Sequence, residues 1–214
     1  MVSTGTTTVA ALTAALRDRI LNGDLAPGTR LIEREIVESY DVARVTARSA
    51  LARLAAEGLV VIESHRGARV ASLTEPELHD LFALRTALEV EAARIALAER
   101  PLELDVALGK ANEALARACR AKRVVWRRVV DAHEGVHRAL VDAAHSPRIS
   151  DVHRSLAGEL QLFVVALRPV WSPEEMVAHH ETLRRDLQTE GPEAVRRHLS
   201  EGEHAVGAQL SSGA

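Results

Sequence analysis

The chain has 214 residues, 27 Lys and Arg against 30 Asp and Glu, 47% apolar and only 2% aromatic residues, ten His and one Cys. At the usual ~100–200 residues per domain, this is one large or two small domains with enough apolar material for a core, which excludes a disordered tail protein. A lone Cys119 excludes an intrachain disulfide, and a net charge of −3 excludes a chain coated throughout in basic residues, although an average can hide a local basic element.

Val9, Leu12, Leu16 and Ile20 follow helical spacing up to Asn22-Gly23, a common helix exit, and Ala26-Pro27-Gly28 reads as a turn. A short helix is expected around Glu33–Ser39, a tight connection at Tyr40-Asp41, and a second helix from about Ala43 to Glu57, ended by Gly58. Leu59 to Ile62 reads as a strand, Ser64-His65-Arg66-Gly67 as a turn, and Ala68 to Leu73 as a returning strand, so the helix-turn-helix is followed by a two-stranded wing.

Between Asp41 and Glu57 the only charged side chains are Arg44, Arg48 and Arg53, a local +3 inside a chain of −3. Arg44 and Arg48 are four apart on one face, with Thr46 between them, and present two donor forks at the start of the second helix, the end that enters a major groove. An R-x-x-x-R pair alone fits a solvated helix face equally well; the surrounding helix, turn, helix and wing favour DNA. Leu25-Ala-Pro-Gly-Thr-Arg-Leu31, Val42-Ala-Arg-Val-Thr-Ala-Arg-Ser-Ala-Leu51, Arg53-Leu-Ala-Ala-Glu-Gly-Leu-Val60, and Arg66-Gly67 with Val70 resemble the winged helix-turn-helix of GntR-family transcription regulators. Where the family usually has Ser-Arg-Thr-Pro-Val-Arg-Glu-Ala-Leu, residues 43–51 keep both Arg and lose Ser, Pro and Glu. The resemblance implies DNA contacts from Arg34, Arg44, Thr46, Arg48 and Gly67. Gly67 also has a physical reason, since a wing tip entering the ~6 Å minor groove needs a residue without a side chain.

Splitting the chain at Ser72 leaves nine Arg and eight acids before it, and eighteen basic and twenty-two acidic residues after it; nine of the ten His lie in the second part. The expected division is a winged helix-turn-helix domain over residues 1–73 and an all-α domain over residues 74–214, giving a mainly α fold. Thr74-Glu75-Pro76-Glu77 marks a helix start, followed by an apolar face of Leu78, Leu81, Phe82, Leu84, Leu88, Ala92 and Ile95 up to Glu99. Five more helices are expected at about 102–120, 124–144, 148–168, 173–189 and 193–210, making a six-helix bundle. The most apolar stretch, Leu160 to Leu167, is far shorter than the ~20 residues that cross a bilayer, and residues 1–16 lack the basic start and apolar run of a secretion signal. The expectation is a cytoplasmic chain without a membrane span.

Leu81-Phe-Ala-Leu-Arg85 with Leu88-Glu89 and Ala92-Ala93, and His137-Arg-Ala-Leu140 with Ser146-Pro-Arg148, resemble the FCD effector domain of the FadR-type branch of the same family. Many such domains hold a divalent metal by an Asp and three His, the Asp lying four residues before the first His. The matching positions are His133 and His137, on one inward stripe with Val130, Leu140 and Ala144. Two inward His are costly unless paired or liganded, so they read either as ligands or as core His bonded to backbone or carboxylate. His in place of Asp removes an anion and favours Zn²⁺ or Ni²⁺ over Mg²⁺ or Mn²⁺. His180, on a stripe with Met176, Leu183 and Leu187, is the third candidate; His179 is turned ~100° away. Counting equal distances from the Gly191-Pro192 turn puts the fourth position at Gly202, which cannot ligate. By the same count, His198 lies ~6 Å too near the turn and His204 ~200° around the helix. Arg85 is either the grip for a carboxylate effector that the resemblance implies, or a partner of Glu89 one turn on. Cys119 reads as core.

These readings describe a ligand-responsive transcription regulator, a repressor by family resemblance. It would bind an inverted-repeat operator as a homodimer and respond to a small organic acid, with one divalent metal ion as a candidate cofactor. The alternatives are a metal-sensing regulator without an organic effector, and a metal-dependent enzyme. Against the enzyme, no carboxylate shares the inward stripe of His133 and His137 to act as a base.

Overall fold

The structure, a computed structural model, describes residues 8–63 and 67–212. The chain divides into two compact units, Met1–Ser72 and Leu73–Ala214. In the first unit, α1 (Val9–Leu21) starts at Thr8, whose side chain accepts from the Ala11 amide, and buries Leu12, Leu16 and Ile20 at intervals of four. β1 (Arg30–Leu31), α2 (Glu33–Tyr40) and α3 (Arg44–Ala56) follow, with Asp41 in the left-handed region between the two helices (φ +49°). Val42, Ala47, Ala50, Leu51 and Leu54 face the core, and Arg17 donates through Nε to Glu57 at 2.9 Å, closing α1 over the end of α3.

β2 (Val60–Glu63) and β3 (Gly67–Val70) pair antiparallel, with Val60 opposite Val70 and Glu63 opposite Gly67. Among the described residues the sheet has three strands rather than the two expected, in the order β1-β3-β2. The extra strand has only two residues, too few for an alternating pattern, and is held by tertiary pairing of Arg30 with Arg69 and Leu31 with Ala68. The turn expected at Ser64 to Gly67 lies, through Arg66, outside the described residues.

The second unit contains α4 (Glu75–Glu99), α5 (Pro101–Cys119), α6 (Trp126–Asp142), α7 (Pro147–Ser155), α8 (Ala157–Leu167), α9 (Pro173–Glu190) and α10 (Pro192–Ser212). Capping boxes at Thr74/Glu77 and Ser172/Glu175 start α4 and α9. The helix expected over 148–168 is two helices. At Leu156 the amide reaches back only three residues, to His153 O, and the helix is interrupted. The reason lies in the two faces: α7 turns one polar side, Ser150 and His153, inward, whereas α8 buries Leu160, Leu162, Phe163, Val164, Val165 and Leu167 nearly all round. No single straight helix satisfies both.

A second difference concerns α4. Its buried stripe is Leu78, Phe82, Arg85, Glu89, Ala92 and Ala96, at the spacings 4, 3, 4, 3, 4, whereas Leu84 is 43% exposed and Leu88 only half-buried. Two charged residues therefore occupy the middle of a core stripe. α4 packs on α6 and α10, α5 on α6 and α9, and Phe82 meets Phe163 with ring centroids 4.7 Å apart. Cys119 is buried, and burial pushes its thiol up to about 11, which leaves it a core residue rather than a nucleophile. Among the described residues, no helix is long and apolar enough to cross a membrane.

Gly191 alone separates α9 from α10, at φ +64°, ψ −145°. A Cβ there would meet no atom within 4 Å, so the cost of a side chain is conformational rather than steric. Gly191→Ala is expected to destabilise the helical unit by about 1–3 kcal/mol in urea unfolding. Gly207→Ala, at an equally open position inside α10, should instead stabilise it by about 0.5–1 kcal/mol. Equal effects of the two substitutions would contradict this backbone reading.

Candidate functional site

Two groups of residues carry chemistry, one in each unit. In the first, the N-terminal end of α3 presents Arg44 and Arg48 with side chains 69% and 64% exposed. Glu33, at the start of α2, accepts from Arg48 Nε at 3.0 Å to each oxygen and lies 3.7 Å from Arg44 Nε, so one carboxylate aligns both guanidinium forks. Thr46 is half-buried beside them, and Arg34 stands exposed on α2 with Glu38 3.8 Å away. Gly67 opens β3 at φ +90°, and a Cβ there would meet no atom within 4 Å. Two neighbours have no counterpart in the sequence reading. Glu33 is one, since a pairing across the turn leaves no local signal. Val45 is the other: a β-branched apolar residue 70% exposed between the two Arg.

In the second unit, His133 and His137 of α6 meet His180 of α9. The ring centroids lie 5.0, 4.6 and 5.3 Å apart for the pairs 133–137, 133–180 and 137–180, and one ligand atom from each residue falls within 4.8 Å of the others. Burial holds all three imidazoles below their ordinary pKa. For His137 burial and then the Arg85 charge bring it to about 4, against the opposing pull of Glu89, so the rings are neutral at pH 7.

The neutral tautomers follow from the partners. Glu89 is fully buried; burial alone would raise its carboxyl, but Arg85, His137 and the N–H donors around it hold it well below the usual carboxylate range. An ionised carboxylate only accepts, so His137 donates its Nδ1–H to Glu89 Oε2 at 2.8 Å. His180 likewise donates Nδ1–H to the Met176 carbonyl at 2.8 Å. Each ring has then spent its single proton, and the two Nε2 lone pairs face each other at 3.3 Å. That separation equals the ~3.3–3.4 Å between two nitrogens on one tetrahedral cation with bonds of ~2.0–2.1 Å. The carboxylate–His137 bond is the outer support that orients metal-ligating imidazoles. The residues thus fit a borderline divalent metal.

The site is wider than the three predicted His. His198, which helix counting places ~6 Å too near the turn, is buried with its ring centroid 4.8 Å from that of His180 and 5.3 Å from that of His137. Counting fails because it assumes antiparallel neighbours at equal height, whereas a single linking residue is shorter than the ~2–5 residues of an αα-hairpin. His179 is also drawn in, stacked on His198 at 4.0 Å. Gly202, the counted fourth position, borders the same space, where a Cβ would meet Phe163 Cζ at 3.4 Å.

Arg85 is buried and donates to Glu89 Oε1 at 2.6 Å, while His153 of α7 bonds the same oxygen at 3.1 Å. The pairing of Arg85 with Glu89 is the arrangement observed. The inward stripe of His133 and His137 on α6 carries no buried carboxylate, as expected, but one from another helix, Glu89 of α4, meets His137. It is not placed as a base, because three N–H donors already occupy it. The void beside Arg85, His133, His137 and His198 is only ≈ 10 Å³, room for about one water.

Comparison with known proteins places these two groups in a common setting. The model of bacterial regulatory proteins, gntR family, matches residues 8–70, and that of the FCD domain matches residues 80–202. An HTH-type transcriptional repressor of Escherichia coli K12, GlaR, is 28% identical over 86% of this chain and 89% of its own length. An HTH-type transcriptional regulator of Streptomyces ambofaciens, in an unstable DNA locus, is 30% identical over 86% and 78%. A solved structure from Rhodococcus sp. RHA1 superposes with TM-score 0.72 over 95% of this chain and 97% of that one; at 24% identity it bears on the fold alone.

Neutralising Glu89 would strand a buried guanidinium. Glu89→Gln is expected to cost about 3–5 kcal/mol in urea unfolding of the helical unit, while Arg85→Met combined with Glu89→Leu recovers most of the loss. A loss below ~1 kcal/mol for Glu89→Gln would contradict the buried ion pair.

Proposed function

The chain belongs to the gntR family of bacterial regulatory proteins, as a DNA-binding transcriptional regulator with a C-terminal FCD domain, and on that premise we propose that it is a repressor released by a divalent metal bound among the histidines of its helical unit. The observation that carries the metal reading is the pair of facing Nε2 lone pairs of His137 and His180, which repel unless a cation or proton stands between them. His133, His137 and His180 would hold the ion, and a bound Zn²⁺ or Ni²⁺ supplies there a cross-link between α6 and α9. The repressor assignment draws on the name of the E. coli relative.

On the DNA side, Arg44, Thr46 and Arg48 read base edges or phosphates from the start of α3, Arg34 supports them from α2, and Gly67 lets the wing approach the minor groove. The first turn of α3 carries no acidic residue and Ala43 offers no capping side chain, while the Thr46 amide turns back to the Ala43 carbonyl at 2.9 Å, so the helix start suits a phosphate. One such helix makes too few contacts for operator affinity; a homodimer on an inverted repeat doubles them.

The small carboxylate effector is a second reading, supported by Arg85, a buried cation of the kind that grips acids. Its entry would require the acid to take Glu89's place on Arg85 and the helices to part around a ≈ 10 Å³ void, so the metal is the reading the geometry favours. A panel of small carboxylates that raises the thermal midpoint of the metal-loaded protein and weakens operator binding would reverse that order.

Duplexes selected from a random pool should converge on an inverted repeat. Arg44→Ala and Arg48→Ala should each weaken binding to the selected duplex by about 1–3 kcal/mol. Adding Ni²⁺ or Zn²⁺ to chelator-treated protein should raise its thermal midpoint and weaken binding by about 5–150-fold, with DNA weakening metal binding by the same factor. No loss for both Arg variants would remove the recognition-helix assignment, and metal that leaves operator affinity unchanged would remove metal as the signal.

A further inference from the structure

We propose that the helical unit offers a second coordination position for a borderline divalent metal, formed by His179, His180 and His198, which excludes the first because both positions draw on the one free nitrogen of His180. The inference rests on the reading that these histidines take such a metal at all, and it concerns residues outside the His133, His137 and His180 set.

One ligand atom each from His179, His180 and His198 lies within 4.8 Å of the other two. The hydrogen bonds here leave buried imidazole nitrogens without partners. His179 spends its Nε2–H on Glu201 Oε2 at 2.8 Å, so its Nδ1 is an acceptor, and that atom is buried with no hydrogen-bond partner among the described residues. His198 is 6% exposed, and its Nδ1 is likewise buried and unpartnered. Among the described residues, four buried side-chain polar atoms have no hydrogen-bond partner, and two of them are these imidazole nitrogens. Buried imidazole nitrogens without partners are costly, and here two sit on rings packed together and against His180, with centroids 4.0 Å apart for 179–198 and 4.8 Å for 180–198, the setting of a ligand set.

Exclusivity follows from His180. Its Nδ1–H is held by Met176 O within its own helix, so Nε2 is its sole donor to metal. A lone pair binds one ion. Metal in the first position ties α6 to α9; metal in the second ties α9 to α10, which in turn packs along α4. The two positions therefore brace different helix pairs, and the ion's choice between them is a switch within one domain. Three neutral imidazoles and no carboxylate select Zn²⁺, Ni²⁺ or Cu²⁺ over Mg²⁺ or Ca²⁺.

The test is Ni²⁺ binding to the full chain without a His-tag, read by calorimetry and metal content, with Co²⁺ absorption spectra as a second readout. The variants are His133→Ala, His198→Ala, His198→Phe, the 133/198 double alanine and His180→Ala, each checked for native circular dichroism without metal. The proposal expects one ion per wild-type chain, and one ion in both the His133 and His198 single variants, with different Co²⁺ spectra. The double variant and His180→Ala should lose at least ~100-fold in affinity. His198→Phe, which keeps the ring volume, separates ligation from packing by matching His198→Ala. Two ions per wild-type chain would overturn the exclusion. Loss of binding in His133→Ala, together with full binding and an unchanged Co²⁺ spectrum in His198→Ala, would overturn the second position while leaving the first intact. The reverse pattern supports the second position and removes the first, and a wild-type chain that binds no ion removes both.

Discussion

A single buried carboxylate organises the helical unit. Glu89 has no exposed surface, and its two oxygens accept from Arg85, His137 and His153, which stand on α4, α6 and α7. A charge in that place is tolerated only because its donors are complete; each donor in turn is fixed by it. The consequence at His137 is chemical as well as structural. By taking the Nδ1 proton, Glu89 leaves Nε2 as a lone pair aimed at His180, and the whole case for a metal grows from that tautomer. The low aromatic content fits the same plan, since the small side chains of Ala92, Ala93 and Ala96 fill the buried face of α4 beyond the polar centre.

The DNA-binding unit uses a carboxylate in a comparable way at its surface. Glu33 aligns Arg44 and Arg48 but remains solvent-accessible, so the pairing is weak and exchangeable for phosphate or guanine. Burial makes the difference between the two carboxylates: Glu89 locks its partners, and Glu33 poises them. The net charge of −3 is the sum of an acidic helical unit and a basic α3, which suits operator-selective, salt-sensitive binding rather than general coating of DNA.

Much of this is legible in the sequence, and the omissions share one cause. Periodicity and punctuation locate α1, the α2–α3 pair, both capping boxes and the inward stripe of His133 and His137, because each is a property of a few neighbouring residues. A count of apolar residues alone along α4 passes over Arg85 and Glu89 as core; the signal is present in the spacing 78, 82, 85, 89, 92, 96, where two charges fill positions that a helix in a bundle buries. His198 and His179 depend on the angle between α9 and α10, set by the one-residue link at Gly191, and no local pattern reports that angle. The break at Leu156 and the two-residue β1 are likewise products of what packs against them.

The protonation of His137 and His180 underlies the first metal position, that of His180 underlies both, and nitrogen-15 NMR of the metal-free protein at pH 7 reads it directly. Both rings should be neutral with the proton on Nδ1, and the Nε2 resonance of His180, the nitrogen common to both positions, should shift when Zn²⁺ is added. Rings protonated on Nε2, or charged imidazolium at either residue, would contradict the account.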